Sequence, residues 1–371
     1  MHHVQSHTIL HLMGMDSSKY GGIERFNVEL SRQLAERGYH SVFVYEEYPV
    51  VPQFVEDLEA TGAEIVILNS RSNPLKFCVA LWRLFRRYDS CMMHAHFTKA
   101  RFYAIPLAHL YGIRNLVYTF HSTLLPLSEI KWHTRLWYRI CNPWCRVVAV
   151  SKAIEKVAKQ NWPDIAVRNL YLGIVPSRGD RDVARKQLHL SDDTLMVMCT
   201  ANFNQVKGLD ILAKAVAELH KANVLSNVQF FIVGQPDKDK AELQQMINEL
   251  GIASYMRLEG ISNQISMYLS AADVYIQPSR NEGIGLALME ACSAGLPIVA
   301  SRVGGIPEVA VEGENAILFT SENVAECAEA LKQLLQNPQL RKQFGENSLR
   351  IYQQKFSIGE NAKHLIDYYQ L

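Results

Sequence analysis

The chain has 371 residues, 48% of them hydrophobic and 20% charged, with a net charge of +1, which suits a globular protein of two ordinary domains. It contains no apolar run near the roughly 18 residues that a membrane-spanning helix needs, and its N-terminus lacks the basic segment and cleavage site of a signal peptide. Seven cysteines without paired spacing give no disulfide framework and no cysteine zinc site, so a cytoplasmic protein with reduced thiols is expected.

Strands and helices are predicted to alternate through the first half of the chain. Short apolar runs indicate buried strands at 8–13, 41–45, 64–68, 90–94, 115–120 and 146–150. The spacing of apolar residues predicts helices at 23–37, 53–61 and 74–88. Because strands joined by helices form right-handed βαβ units, we expect a parallel sheet.

The region 171–193 interrupts this pattern, and its turn-rich part, 172–180, is interpreted as a linker. Strands are then predicted at 195–200, 228–233, 256–259, 274–277 and 297–300, with helices at 208–223, 238–250, 262–271, 285–294 and 322–336. A last amphipathic helix at about 358–370 is expected to return to the first domain. The fold class predicted is α/β, with two Rossmann-like doubly wound domains that face each other across a cleft. The first domain is placed at 1–176 together with 357–371, and the second at 190–356.

The most informative segment runs from Pro278 into the predicted helix that follows. A strand ends at Gln277, a glycine-bearing loop carries Glu282, and a helix that begins near Gly285 carries Glu290. Glycines at such a junction let backbone N–H groups approach a ligand, and a helix N-terminus favours anions. The two glutamates lie roughly 12 Å apart at most, so one carboxylate can reach a sugar and the other a ribose, with phosphates between them.

This segment resembles the E-x7-E signature of family 4 retaining glycosyltransferases, which include sucrose synthases and many bacterial lipopolysaccharide and capsule enzymes. The resemblance extends over almost the whole chain, through Gly21-Gly22-Ile23-Glu24, His94-Ala95-His96, Thr119-Phe120-His121, Val148-Ala149-Val150-Ser151, Lys207-Gly208 and Phe356-Ser357. It implies the GT-B fold and retaining transfer of a hexose-type sugar from a nucleotide diphosphate sugar, UDP-linked by default. The implied acceptor is a saccharide or lipid-linked molecule in surface polysaccharide or lipopolysaccharide biosynthesis, and no metal or other cofactor is implied.

Three residues receive catalytic roles from this resemblance. Lys207 would bind the donor diphosphate, Glu282 would hold the transferring sugar, and His121 would contact that sugar from the opposite wall. Negative charge develops on the diphosphate as the anomeric C–O bond breaks, so without a metal Lys207 and a helix N-terminus must stabilise it. No dedicated carboxylate base is expected, because in this family the leaving phosphate is usually described as taking the acceptor's proton.

The donor-binding residues implied by the resemblance are Gly22, Asn202, Lys207, Gly283, Ile284, Gly285 and Glu290. Gly22 would allow close approach of the diphosphate, and Glu290 would accept hydrogen bonds from the ribose hydroxyls. Two positions depart from the family pattern. Ala201 and Asn202 stand where Gly-Arg is usual, so a charged fork is replaced by a neutral donor, and Ile284 stands where Phe is more common.

Other interpretations of these motifs remain open. Asn202 motivates an alternative function, a catalytically weak transferase-like binding subunit, and a nucleotide-sugar epimerase on the same fold is a further rival. Asp180-Arg181-Asp182 and Asp237-Lys238-Asp239 match the Asp-x-Asp pattern of metal-dependent transferases, but their polar, loop-like surroundings favour chance. The histidines at 2, 3, 7 and 11 show no ligand spacing, so no metal site is predicted from them.

The first half of the chain is basic and aromatic. Residues 1–179 carry 21 basic and 14 acidic side chains, whereas the remainder carries 17 and 23, and all five tryptophans lie in the first half. The stretches 74–88 and 131–146 concentrate these residues. They are either interior helices with solvated basic ends or a surface that binds the anionic lipids of the inner face of the cytoplasmic membrane. No nucleic-acid motif accompanies them, so nucleic acid is not an expected partner.

Overall fold

The computed structural model describes residues 7–17, 19–69, 73–96, 98–122, 124–177, 179–235 and 239–371, with every side chain in these ranges except those of 98–100. The chain divides into two compact units. The first unit is Met1–Ile174 with Ile358–Leu371, and the second is Val175–Ser357. Across the described ranges, no helix combines the length and the apolarity that crossing a bilayer requires.

The first unit is built on a seven-stranded sheet. Its strands are β1 (Thr8–Leu12), β2 (His40–Tyr45), β3 (Glu64–Ile67), β4 (Met92–Ala95), β5 (Asn115–Phe120), β6 (Cys145–Ala149) and β7 (Val167–Asn169). Its helices before residue 174 are α1 (Gly22–Glu36), α2 (Pro52–Glu59), α3 (Pro74–Tyr88), α4 (Thr98–Tyr111), α5 (Trp132–Cys141) and α6 (Lys152–Asn161). The strands are parallel in the order β3-β2-β1-β4-β5-β6-β7, so the winding direction reverses between β1 and β4.

The second unit repeats this plan with six parallel strands. They are β8 (Leu195–Thr200), β9 (Val228–Val233), β10 (Met256–Leu258), β11 (Val274–Gln277), β12 (Ile298–Ser301) and β13 (Ala316–Phe319). Its helices are α7 (Arg181–Gln187), α8 (Leu209–Lys221), α9 (Lys240–Glu249), α10 (Ile265–Ala271), α11 (Leu286–Ser293), α12 (Ile306–Val309), α13 (Val324–Gln336) and α14 (Pro338–Lys355). In the order β10-β9-β8-β11-β12-β13 the reversal falls between β8 and β11. Two doubly wound parallel sheets confirm the predicted fold class.

Both sheets bury strand residues that read as continuous apolar runs. In the first unit Ile9, Met92 and Val117 from adjacent strands pack beneath Phe26 and Leu30 of α1. In the second unit the interior of the sheet is covered by α8 and α13, whose apolar stripes are fully buried. Since the central strands are buried along most of their length, ligand-binding groups are expected at the strand ends.

The segment that follows the predicted linker at 172–180 is helical. The helix α7 belongs to the second unit and packs on α10. The Asp180 side chain caps α7 by accepting a hydrogen bond from the Val183 N–H at 3.0 Å, and Arg185 is buried against the Ala271 carbonyl. The change of unit between Ile174 and Val175 lies within the predicted linker, and Asp180 at the end of that linker is the N-cap of α7.

The last helix, α15 (Ile358–Tyr369), belongs to the first unit, although the chain reaches it only after the second. It packs on α1 through Ala362, Leu365 and Ile366. Its C-terminal carbonyls are held by Arg146, whose guanidinium donates to the Tyr368 and Tyr369 carbonyls. Hydrogen bonds from Arg146 therefore add to the apolar packing that holds α15 on the first unit.

Candidate functional site

The loops at the winding reversal of the second sheet bring two of the predicted catalytic residues together. Lys207 ends a short 3-10 turn after β8, and Glu282 lies in the loop after β11. The Lys207 Nζ and Glu282 Oε2 atoms are 2.7 Å apart, and the two side chains are 25% and 16% exposed. The ion pair is therefore partly shielded at the sheet edge where α/β folds bind ligands.

Two glycines force these loops into close contact. A Cβ on Gly208 would lie 2.0 Å from the Pro278 carbonyl oxygen, and the residue has a positive φ of 65°. A Cβ on Gly304, with φ of 50°, would lie 1.9 Å from the Glu282 carbonyl oxygen. Only glycine fits either position, so the backbone that carries Glu282 is fixed from two sides.

A buried polar network supports Glu282 from behind. The Gln277 amide Nε2 donates to the Ser279 hydroxyl at 2.8 Å and to Glu282 Oε2 at 3.4 Å. The Tyr275 hydroxyl donates to Gln277 Oε1 at 3.1 Å. The network was missed because a single glutamine in an apolar strand carries no periodic signal, although a buried Gln at a strand end is itself a hint of a polar site.

Glu290 occupies the second turn of α11, which begins at Leu286. Burial, and to a smaller extent the charges of Cys199 and Glu290, raise the pKa of Tyr275. Lys207 and Glu282 are thus in contact, and Glu290 follows on the helix that the Glu282 loop enters, while its role in ribose binding stays a prediction.

Gly283, Ile284 and Gly285 form the junction between Glu282 and α11. All three are buried, with Ile284 only 4% exposed and Gly285 at the N-cap of the helix. The buried Ile284 side chain keeps the junction in place by packing, while the helix N-terminus contributes a partial positive charge. The site thus combines one lysine with a helix dipole.

Asn202 lies in the loop after β8 with its side chain exposed. Its backbone is fixed, because its carbonyl accepts from the Asn204 N–H at 2.9 Å and a Cβ on Gly234 would approach its nitrogen to 3.3 Å. The structure thus keeps Asn202 on the loop that carries Lys207, and its role in donor binding stays a prediction.

The two Asp-x-Asp matches have separate surroundings. Asp180 caps α7, as described above. Asp237 and Lys238 lie outside the described residues, as do His2 and His3, and Asp239 accepts a hydrogen bond from the Gln205 N–H at 2.8 Å. Structural roles account for Asp180 and Asp239, and Asp182 lies in the first turn of α7.

In the first unit Gly22 is the first residue of α1. The preceding Gly21 N–H donates to the Glu24 carboxylate at 3.0 Å, and the Ser17 hydroxyl donates to the same carboxylate at 3.1 Å. Glu24 is buried and supplies the glutamate half of a capping box by accepting from the N-cap N–H, a role that the sequence analysis did not assign to it. Gly22 therefore occupies a rigid helix N-terminus beside β1.

His121 follows β5 and belongs to a buried group of histidines. Its Nε2 lies 3.1 Å from His96 Nδ1, while His94 bonds the Tyr369 hydroxyl through Nδ1 at 2.7 Å and the Thr119 hydroxyl through Nε2 at 2.8 Å. Burial, together with the charge of Arg101, lowers the pKa of His121 to about 4. Burial likewise holds the pKa of His94 and of His96 well below the usual range, so all three rings are neutral at pH 7.

His11, His94 and His96 each offer a ring nitrogen within 4.8 Å of the others. Neutral imidazoles suit divalent transition metals, so this group is a possible metal ligand set. Both nitrogens of His94 already take part in hydrogen bonds, however, and a cavity lined by His94, His96 and His121 measures about 20 Å³. That volume has room for about one water molecule.

Comparison with known proteins places this chain in a family. A model of "Glycosyltransferase Family 4" matches residues 20–178, and a model of "Glycosyl transferases group 1" matches residues 180–350. Among curated relatives, the D-inositol 3-phosphate glycosyltransferase of Corynebacterium glutamicum is 32% identical over 50% of this chain and 46% of its own length. The corresponding protein 1 of Catenulispora acidiphila is 26% identical over 86% of this chain and 83% of its own. The chain thus spans about half the length of the first of these relatives.

Solved structures share the fold over nearly the full chain. Anabaena Alr3699/HepE in complex with UDP and glucose has a TM-score of 0.83 at 21% identity, covering 98% of this chain and 99% of that one. WaaG, a glycosyltransferase involved in lipopolysaccharide biosynthesis, has a TM-score of 0.75 at 17% identity, covering 97% and 99%. With adjoining family models over both halves and the GT-B fold of these neighbours, the chain belongs to the family 4, group 1 glycosyltransferases.

Proposed function

We propose that this protein is a retaining, metal-independent glycosyltransferase that transfers a hexose-type sugar from a nucleotide diphosphate sugar, UDP-linked by default. The proposed acceptor is a saccharide or a lipid-linked molecule used in surface polysaccharide or lipopolysaccharide synthesis. The observation that carries this proposal is the Lys207–Glu282 pair, 2.7 Å apart, at the winding reversal of the second sheet. A cation beside a carboxylate at the sheet edge where α/β folds bind ligands supports the proposal.

The proposed chemistry assigns the diphosphate to Lys207 and the N-terminus of α11. The anomeric C–O bond breaks and negative charge develops on the departing diphosphate, where a fixed cation and a helix dipole stabilise it. The acceptor hydroxyl forms the new bond to the anomeric carbon on the same face, and its proton passes to a diphosphate oxygen. This scheme needs no metal and no carboxylate base.

The remaining predicted residues orient the donor in this proposal. Glu290 accepts hydrogen bonds from the ribose, and Glu282 with the backbone of 283–285 holds the sugar. Gly22 gives room to the diphosphate. His121 donates a hydrogen bond to the sugar as a neutral ring, which is consistent with its lowered pKa of about 4.

The names of similar proteins support the choice of ligands. HepE was crystallised with UDP and glucose, several relatives are named for D-inositol 3-phosphate as acceptor, and WaaG is named for lipopolysaccharide biosynthesis. For the present chain, these ligands are part of the proposal.

The central test is a thermal-shift screen of UDP-, GDP- and ADP-sugars in the presence of EDTA. A donor at 100 times its dissociation constant should raise the free energy of unfolding by about 2.7 kcal/mol. The stabilising donor is then incubated with candidate acceptors while free nucleotide is measured. Release that requires added metal would contradict the metal-independent mechanism, and turnover of the sugar without any acceptor requirement would favour an epimerase.

The second candidate function, a transferase-like binding subunit, is favoured by Asn202, whose exposed side chain carries no charge. Such a protein would bind donor without turning it over, and Glu290→Ala would leave its function intact. Single-turnover measurements on the isolated chain decide between the two.

Membrane association is proposed for the first unit. Along α5, Trp132, Leu136 and Ile140 recur at helical spacing and are 74%, 48% and 48% exposed, with the exposed Arg139 beside them. Along α3, Leu75, Val79 and Trp82 are exposed on the same stripe as Arg83 and Arg86. Exposed apolar side chains flanked by arginines match an anionic lipid surface, and would bring the protein to the cytoplasmic face of the membrane.

This membrane proposal predicts binding to vesicles of phosphatidylcholine with phosphatidylglycerol but weak binding to phosphatidylcholine alone. Replacing Trp132 and Leu136 by Ser should reduce sedimentation with the anionic vesicles. The matched control replaces Ile261, which is 68% exposed in the second unit. Equal losses from both changes would argue against α5 as the contact.

A further inference from the structure

Arg101 is a buried cation without a described counter-ion. The side chain is 4% exposed, and its Nη2 donates to the Tyr138 hydroxyl. Its Nε is fully buried and has no hydrogen-bond partner among the described residues. Within those residues it also enters no ion pair with a carboxylate. A buried charge is normally paired or removed, so an unpaired guanidinium indicates a missing anion.

Aromatic rings surround the guanidinium. Its central carbon lies 5.0 Å from the ring centre of Tyr118, 5.2 Å from Phe120, 5.8 Å from Trp137 and 5.3 Å from Tyr138. Such contacts stabilise a cation through the ring faces, but they supply no acceptor for its N–H groups. The in-plane edge of the guanidinium, which carries those N–H groups, is the part that recognises oxyanions.

The position of Arg101 also points to a ligand. It lies in the first turn of α4, which follows β4, at the carboxyl edge of the first sheet. The helix is 14 residues long, and its N-terminus adds a partial positive charge at the same edge. The neighbouring strand β5 ends at Phe120, one of the enclosing rings, and His121 follows directly.

We propose that Arg101 binds an anionic group, a phosphate or a carboxylate, carried by the sugar acceptor. The word acceptor rests on the proposed function, in which the donor diphosphate belongs to Lys207 in the other unit. The anion would complete the hydrogen bonding of the guanidinium edge and would fix the acceptor beside His121. Neutral acceptors of the same shape would lack this contact.

The direct test is calorimetric titration of inorganic phosphate into the full chain. Wild type is compared with Arg101→Met, Lys207→Ala and the double variant. We expect two phosphate sites in wild type, one in each single variant and none in the double variant, with the Arg101 site weakened at least about tenfold by the methionine. Arg146→Met is the control, because that guanidinium is occupied by the Tyr368 and Tyr369 carbonyls, and it should leave phosphate binding unchanged.

The outcomes separate the two proposals. If Arg101→Met binds phosphate as wild type does, the inference about Arg101 is overturned, whatever Lys207→Ala does. If only the Lys207 site fails to appear, the proposed function is in question and the Arg101 site stands.

A second variant, Tyr138→Phe, tests the proposal independently if Arg101→Met fails to fold. Tyr138→Phe keeps the cation and its aromatic surroundings but releases Nη2, so phosphate should bind at least as tightly as to wild type. Weaker binding would contradict the assignment. Titrations of methyl phosphate and of acetate into wild type then identify the class of anion, and failure of both to bind at a site sensitive to Arg101→Met overturns the proposal.

Discussion

The two units differ in how their buried polar groups are paired, although Thr200 Oγ1 in the second unit also has no partner among the described residues. In the second unit Lys207, Glu282, Gln277 and Tyr275 are bonded to one another at the reversal of the sheet. In the first unit His11, His96, Arg101 and Asn142 each keep a buried nitrogen without a partner among the described residues. A paired network is ready for a polar ligand before it arrives, whereas unpaired buried groups cost stability until something completes them. We infer that the second unit is the preorganised half and the first unit the half that depends on its ligand and on pH.

Acidification should produce the largest difference in stability between the two units. Burial lowers the pKa of His11 to about 3, while an unfolded histidine titrates near 6.5. Between these values the unfolded state binds more protons, so the stability of the first unit falls as the pH falls from about 6.5 towards 3, by on the order of 5 kcal/mol from His11 alone. Because all five tryptophans lie in the first unit, their fluorescence should report this transition at a higher pH than far-ultraviolet circular dichroism reports loss of the second unit. A single transition common to both signals would contradict the contrast.

The preorganised half is tested by Lys207→Ala. Removing the cation paired with Glu282 should lower kcat/KM by roughly 100- to 1,000-fold, the cost of losing a fixed group that stabilises developing charge. Lys214→Ala is the matched control, since Lys214 lies on α8 with half of its side chain exposed and should change kcat/KM less than about twofold. Similar small losses from both lysines would mean that the diphosphate binds elsewhere.

His11→Phe should stabilise the first unit and so reduce the difference between the two units. His11 stacks on Phe43 with ring centres 4.5 Å apart, and neither of its nitrogens has a partner among the described residues. A ring without polar atoms avoids their desolvation, so the free energy of unfolding at pH 7 should rise by about 1–3 kcal/mol and the acid transition should move to lower pH. Chemical denaturation at pH 7 and pH 5 measures both effects. A destabilised variant at pH 7 would show that His11 has a partner in solution, such as a metal ion or a water molecule.

Asn202 should give the smallest effect. Asn202→Ala removes a neutral donor and should lower kcat/KM by less than about tenfold, whereas Asn202→Arg restores the charged fork usual in the family and should tighten donor binding. Donor titrations of the two variants against wild type decide this. If the alanine variant loses as much activity as Lys207→Ala does, the phosphate-binding assignment is wrong.

The sequence was sufficient for the parts of the molecule that depend on periodicity and strand order. Buried apolar strands alternating with amphipathic helices fix parallel sheets, and the carboxyl ends of β8 and β11 then bring Lys207 and Glu282 together. It was insufficient where side-chain pairing decides the structure. Tyr275 and Gln277 sit in a strand that reads as apolar, and α4 was not predicted because Pro106 lies within it. The unpaired state of Arg101 cannot be predicted at all, since it depends on which residues of β5 and α5 surround it.

The return of α15 has a consequence for synthesis on the ribosome. Residues 175–357 form a continuous unit, whereas the first unit, although translated earlier, lacks its last helix until about residue 369 has emerged. Until then the α1 face that receives Leu365 and Ile366 stays uncovered, and His94 lacks the Tyr369 hydroxyl. The first half is thus expected to stay incomplete throughout synthesis of the second half, and it is the segment most exposed to chaperones and to aggregation.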